Sequence, residues 1–125
     1  MDPERVSLFC PEVLQSLQEF LGGEKSLCSH FVLLYIDMWP GRFKRIYDAV
    51  KAGHREDAMD AALSLRTASA MVGAQRLSEL TTEIIHLLDS GKPTAAIKTL
   101  ETLQLCGTQT MTKLKIAYLT LDHSK

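Results

Sequence analysis

What most constrains this chain is a helical hydrophobic rhythm punctuated by glycine. Between Gly22-Gly23, Gly53, Gly73 and Gly91 the apolar residues recur every three or four positions, and no stretch alternates convincingly with period two. Such a pattern supplies no strand from which to build a sheet. It confines the chain to helices that each bury one face. Glycine just past the last apolar turn is a natural stop for each of them.

A first short helix is expected from about Pro11 to Leu21, with Val13, Leu14, Leu17, Phe20 and Leu21 on one face. A second covers roughly Lys25 to Met38 and carries Leu27, Phe31, Leu34, Tyr35 and Met38 on its apolar face. Pro40 comes next, ahead of Phe43, Ile46, Tyr47 and Val50 in a segment reaching about Ala52. A proline breaks or kinks a helix interior, yet it also suits the first turn of a new helix. The sequence therefore leaves open one kinked helix or two.

Arg55 to Val72 reads as a long helix, with Glu56 and Asp57 in its first turn to complement the helix dipole. Ala74 to Ser90 follows, its buried stripe made of Leu77, Leu80, Ile84, Leu87 and Leu88. Pro93 opens a last helix holding Ile97, Leu100, Leu103, Met111, Leu114 and Leu121. Within it, Gly107 and its neighbouring threonines mark a point of kinking or fraying. Connections of a few residues between amphipathic helices favour antiparallel neighbours. The expected architecture is all-α: one domain over residues 1–125, an antiparallel up-and-down four-helix bundle across about residues 24–121, and an additional short N-terminal helix. The length of 125 residues suffices for a real core.

Charge and cysteine usage narrow the function. Fourteen basic residues against fifteen acidic ones leave a net charge of −1, so there is no basic excess for a phosphate backbone and nucleic-acid binding is not expected. The longest apolar run, Phe31 to Ile36, ends at Asp37, far short of the ~20 residues that span a bilayer. Met-Asp-Pro-Glu-Arg at the start lacks the apolar stretch of a signal peptide. Cys10, Cys28 and Cys106 are odd in number and contain no Cys-x-x-Cys pair, which fits reduced thiols in a cytoplasm. Cys28 and His30 have no second ligand pair at zinc-site spacing, so neither a metal nor a cofactor is expected. Gly-x-Ser-x-Gly, His-Glu-x-x-His and phosphate-binding glycine loops are all missing from the sequence.

The informative stretch lies between Phe43 and Leu88. Ala62-Leu63-Ser64-Leu65-Arg66-Thr67-Ala68-Ser69-Ala70-Met71-Val72-Gly73-Ala74-x-x-Leu77 resembles the histidine phosphotransfer (HPt) domain. Members of that family carry a motif of the form Ala-His-x-Leu-Lys-Gly-Ser-Ala-x-x-Leu-Gly-Ala-x-x-Leu. The resemblance implies an antiparallel helix bundle and a place in a two-component phosphorelay, with a response-regulator receiver domain or a histidine kinase as partner. It covers about 100 residues when the helix around Phe31 and the Pro40 segment are counted.

The sequence departs from the family at the residue that does the chemistry. Aligned on Gly73-Ala74, the phosphoacceptor histidine falls on Leu63, which has no lone pair with which to attack a phosphoryl group. The family's lysine is matched by Arg66, and its glycine, which lets the partner approach, by the bulkier Thr67. No catalytic residue is therefore expected. Of the other histidines, His54 would stand at the bundle's end and His86 on the solvent side of its helix, while His30 and His123 are placed no better.

If Ala58, Ala61 or Ala62, Leu65, Ala68, Ser69 and Val72 face the core, then Met59, Leu63, Arg66, Thr67 and Ala70 share another face. An apolar centre with a charged margin suits protein docking. The same face could instead pack internally or form a homodimer. Arg42, Lys44, Arg45, Lys51 and Arg55 make a loosely basic neighbourhood that could steer an acidic partner. Three readings are carried forward: a non-catalytic docking module, a phosphotransfer protein with a displaced histidine, and a structural homodimer.

Overall fold

The computed structural model describes residues 16, 17, 19, 22 and 25–123, with side chains described at 29–116 of that last run. Within it lie four helices: α1 (Lys25–Ala52), α2 (Arg55–Met71), α3 (Gln75–Asp89) and α4 (Pro93–His123). Consecutive helices pack against each other, and α4 returns to pack on α1. The result is the expected up-and-down bundle. Most of the N-terminal helix expected at Pro11–Leu21 lies outside the described residues, but Leu17 is buried and joins the core.

Three turns of the same construction set the antiparallel order. At the first, the amide of His54 donates to the Ala49 carbonyl at 2.9 Å and that of Gly53 to Val50 at 3.2 Å. Ala74 and Gly73 repeat the pair on Ser69 and Ala70, and Lys92 and Gly91 on Leu87 and Leu88. This Schellman arrangement needs a left-handed residue at its pivot, and Gly53 and Gly73 supply φ values of 75° and 78°.

Pro40 lies inside α1, which is one helix from Lys25 to Ala52. Its buried stripe runs straight through the proline as Val32, Tyr35, Ile36, Trp39, Ile46, Ala49 and Val50. That stripe corrects the expected face: Leu34 and Met38 are exposed, at 49% and 42%, and Phe31 is half-buried. Six consecutive apolar residues from Phe31 to Ile36 give periodicity nothing to choose between, so packing against the other helices decides the rotation. Leu27 and Leu121 have side chains outside the described set.

α4 is one helix that includes Gly107 in its interior. The hydroxyls of Thr108, Thr110 and Thr112 each donate to the carbonyl four residues back, which satisfies them within the helix. The core is filled by Ile46, Leu65, Leu77, Ile84, Leu100 and Leu103, all fully buried. One polar bridge crosses it, between Tyr35 Oη and Ser69 Oγ at 2.6 Å, tying α1 to α2. Burial pushes the Tyr35 phenol up to about 12, against the opposing pull of the Ser69 hydrogen bond and of the Arg42 charge.

Candidate functional site

α2 presents to the core the face its sequence predicts. Ala58, Ala61, Ala62, Leu65, Ser69 and Val72 are buried, and Ala68 is half-buried at the edge. The opposite side carries Met59, Leu63, Arg66, Thr67 and Ala70 within an arc of about 100° at 3.6 residues per turn. Leu63 is 39% exposed, Thr67 and Ala70 are exposed, and Met59 and Arg66 are half-buried. The Thr67 hydroxyl donates to the Leu63 carbonyl at 3.1 Å, so its proton is committed to the helix.

Beside Leu63, toward α1, the surface dips into an open groove of roughly 510 Å³. Its walls are Phe31 and Arg42 from α1 and Asp60, Leu63, Ser64, Thr67, Ala68 and Met71 from α2. Of the five residues expected on the docking face, Leu63 and Thr67 line this groove; Met59, Arg66 and Ala70 lie on the far side of Leu63. Sequence reasoning missed Phe31, Asp60, Ser64 and Met71 as members of the site. No pattern along the chain announces a groove between two helices, because its walls meet only when α1 and α2 are packed.

The basic neighbourhood resolves into separate ion pairs. Lys44 pairs with Asp48 on its own helix, and Arg45 reaches Asp57 at 2.8 Å and Asp60 at 3.4 Å on α2. The Asp57 carboxylate is the main cause that raises the Arg45 pKa. Arg55 holds Asp89 at 3.1 Å and donates to the Leu88 carbonyl at 3.2 Å, while Lys51 lies over the Tyr47 ring. Arg45 and Arg55 thus link neighbouring helices, while Lys44 and Lys51 are engaged within α1. Arg42 differs: its Nη1 is buried with no acceptor, and its Nη2 meets only the Met38 thioether sulfur, at 3.8 Å.

Among the described residues, no histidine lines the groove. His30, His54 and His86 are exposed on α1, at the start of α2 and on α3, and the His123 side chain lies outside the described residues. Cys106 is a buried free thiol whose pKa burial raises, and it sits in α4 against Thr110. Cys10 and the Cys28 side chain fall outside the described residues. Among those described, no group of three or more His, Cys, Asp or Glu could hold a metal ion, and no helix is long and apolar enough to cross a membrane.

No family model matches the sequence, and no curated protein matches it. Solved structures do. The chain is similar to histidine-containing phosphotransfer protein B from Pseudomonas aeruginosa PAO1, with a TM-score of 0.80 at 20% identity over 90% of this chain and 95% of that one. It is also similar to a rice protein described as a histidine-containing phosphotransfer protein, with a TM-score of 0.68 at 18% identity over 94% of this chain and 85% of that one. The fold is therefore the all-α bundle of histidine phosphotransfer proteins.

Proposed function

We propose that this chain is an HPt-like docking module of two-component signalling, which covers a receiver domain or a histidine kinase through the Leu63 face and transfers no phosphoryl group. The observation that carries this reading is Leu63 itself. It stands half-way along α2, 39% exposed, on a bundle whose fold is that of phosphotransfer proteins. What sets it apart from other exposed apolar residues such as Leu105 and Ile116 is that it lines a groove together with Met71, which is exposed to a similar degree. A leucine side chain offers no lone pair to a phosphoryl group, so whatever docks there meets a surface and not a nucleophile.

The partner proposed is a receiver or kinase because that is the kind of surface the HPt resemblance implies for this face. A cytoplasmic setting goes with such a partner and with three widely spaced cysteines, an odd number with no Cys-x-x-Cys pair. Scaffolding or competition with a true phosphotransfer protein would follow from occupancy alone.

The test is to incubate the purified chain with phosphorylated receiver domains, reading acid-labile phosphate on the chain and complex formation together. Binding without label, lost in Leu63→Asp, is the expected result. Label on His54, His86 or another histidine would replace this reading with a displaced-histidine phosphotransfer protein. A chain that binds no receiver or kinase but is dimeric, and becomes monomeric on Leu63→Asp, would replace it with a structural homodimer.

A further inference from the structure

A second cleft of roughly 390 Å³ opens between α1 and α2, sharing only Arg42 and Ser64 with the Leu63 groove. Its apolar lining comes from Met38 and Ala61, and Gly41 adds no side chain at a position where a Cβ would meet nothing within 4 Å. Three polar groups on its walls lack a protein partner. Arg42 Nη1 is buried with no acceptor, and Nη2 meets only the Met38 sulfur at 3.8 Å, a weak acceptor. Asp37 is exposed and has no ion pair among the described residues. The Ser64 hydroxyl makes no hydrogen bond among them either, although Thr67 on the same helix donates to the carbonyl four residues back. Folded proteins leave few buried donors unpaired, because each forfeits its hydration without return.

The remaining charged wall, Arg45, is held by Asp57 and Asp60. The cleft therefore offers one free charge of each sign beside an apolar lining. A plain anion would gain Arg42 but meet Asp37 and the two carboxylates on Arg45, and a plain cation would leave Arg42 unanswered. The geometry points to a binding site for a small zwitterion, a free α-amino acid with an apolar side chain. Its carboxylate replaces the Met38 sulfur on the Arg42 guanidinium, its ammonium faces Asp37, and Ser64 supplies a further hydrogen bond. The ligand's side chain lies against Met38 and Ala61 in the space that Gly41 leaves open. Met38 is 42% exposed and unbranched, so it moves aside at little cost. This site stands independently of the docking reading above.

The experiment titrates the isotope-labelled full chain with leucine, methionine and phenylalanine in turn, followed by amide NMR shifts. Expected is a saturable change confined to about residues 37–45 and 60–65, with a Kd on the order of 1 mM. N-acetyl-leucine keeps only the carboxylate and leucine amide only the ammonium, and each should bind at least about tenfold more weakly. Gly41→Leu should fill the cleft and abolish binding while favouring the helix, so that loss is not one of folding. Arg42→Gln and Asp37→Asn should each weaken binding about tenfold. No saturable change with any of the three amino acids overturns the site and leaves an ordered water as the acceptor for Nη1. N-acetyl-leucine binding as tightly as leucine overturns the zwitterion, and binding that survives Gly41→Leu overturns the cleft as its location. No receiver or kinase enters the measurement, so its failure is distinct from a failure of docking.

Discussion

The Trp39 indole occupies the space that a side chain at Gly107 would need: a Cβ built there would overlap the six-membered ring. Trp39 is 8% exposed and stacks obliquely on Phe43, with ring centroids 5.5 Å apart, so it has little room to yield. This contact joins the middle of α1 to the middle of α4. It explains why a glycine stands in the interior of a 31-residue helix, where its intrinsic propensity is poor.

Gly107→Ala therefore sets two effects against each other. Helix propensity favours alanine by up to about 1 kcal/mol, while overpacking a rigid buried ring costs about 1–3 kcal/mol. Packing should win, lowering the urea midpoint. In a Trp39→Leu background the same substitution should cost less or become stabilising, since the two sites share one space.

Tyr35 should make the fold sensitive to strong alkali. Its folded-state pKa of about 12 lies above the ordinary phenol value of 10.0, so the unfolded chain loses the phenolic proton first. The neutral phenol contributes full stability below about pH 10, and that contribution falls by about 2–3 kcal/mol as pH rises through the folded value. Equilibrium denaturation between pH 9 and pH 12 should show this decline, and Tyr35→Phe should flatten it. At neutral pH that variant should lose about 1–2 kcal/mol, because Ser69 Oγ is left buried without its partner.

Pro40 is exposed and inside α1, where its ring removes the amide that would otherwise bond the Ile36 carbonyl. Pro40→Ala should raise stability by about 1–2 kcal/mol, read as a higher denaturant midpoint with an unchanged m-value.

Leu63→Asp should separate stability from binding. The side chain touches the bundle with only part of its surface, so thermal unfolding should shift by no more than about 1 kcal/mol in free-energy terms. Partner binding should fall by a hundredfold or more, because a hydrated carboxylate replaces the apolar side chain at the centre of the face and ties up the Arg42 guanidinium beside it. A variant that binds as well as the unaltered chain would move the docking face elsewhere on the bundle.

The candidate face itself was legible along α2. Met59, Leu63, Arg66, Thr67 and Ala70 share an arc because 3.6 residues per turn places them there, and no tertiary information is needed to see it. The α2 core residues follow from the same arithmetic. On α1 it failed at Leu34 and Met38, where apolar residues stand on every side of the helix and the exposed ones cannot be told apart by spacing.

By itself, then, the sequence determined the helices, their glycine stops, their antiparallel order and the leucine at position 63, a side chain with no lone pair. These are local matters of backbone conformation, capping and chemical identity. Only the packed structure decided that Pro40 lies within one helix, that α1 turns Trp39 inward onto Gly107, and that Lys44, Arg45 and Arg55 are paired while Arg42 is left uncommitted beside Leu63. Each of these depends on which residues from distant parts of the chain come within a few ångströms, and side-chain contact across helices leaves no period in a sequence.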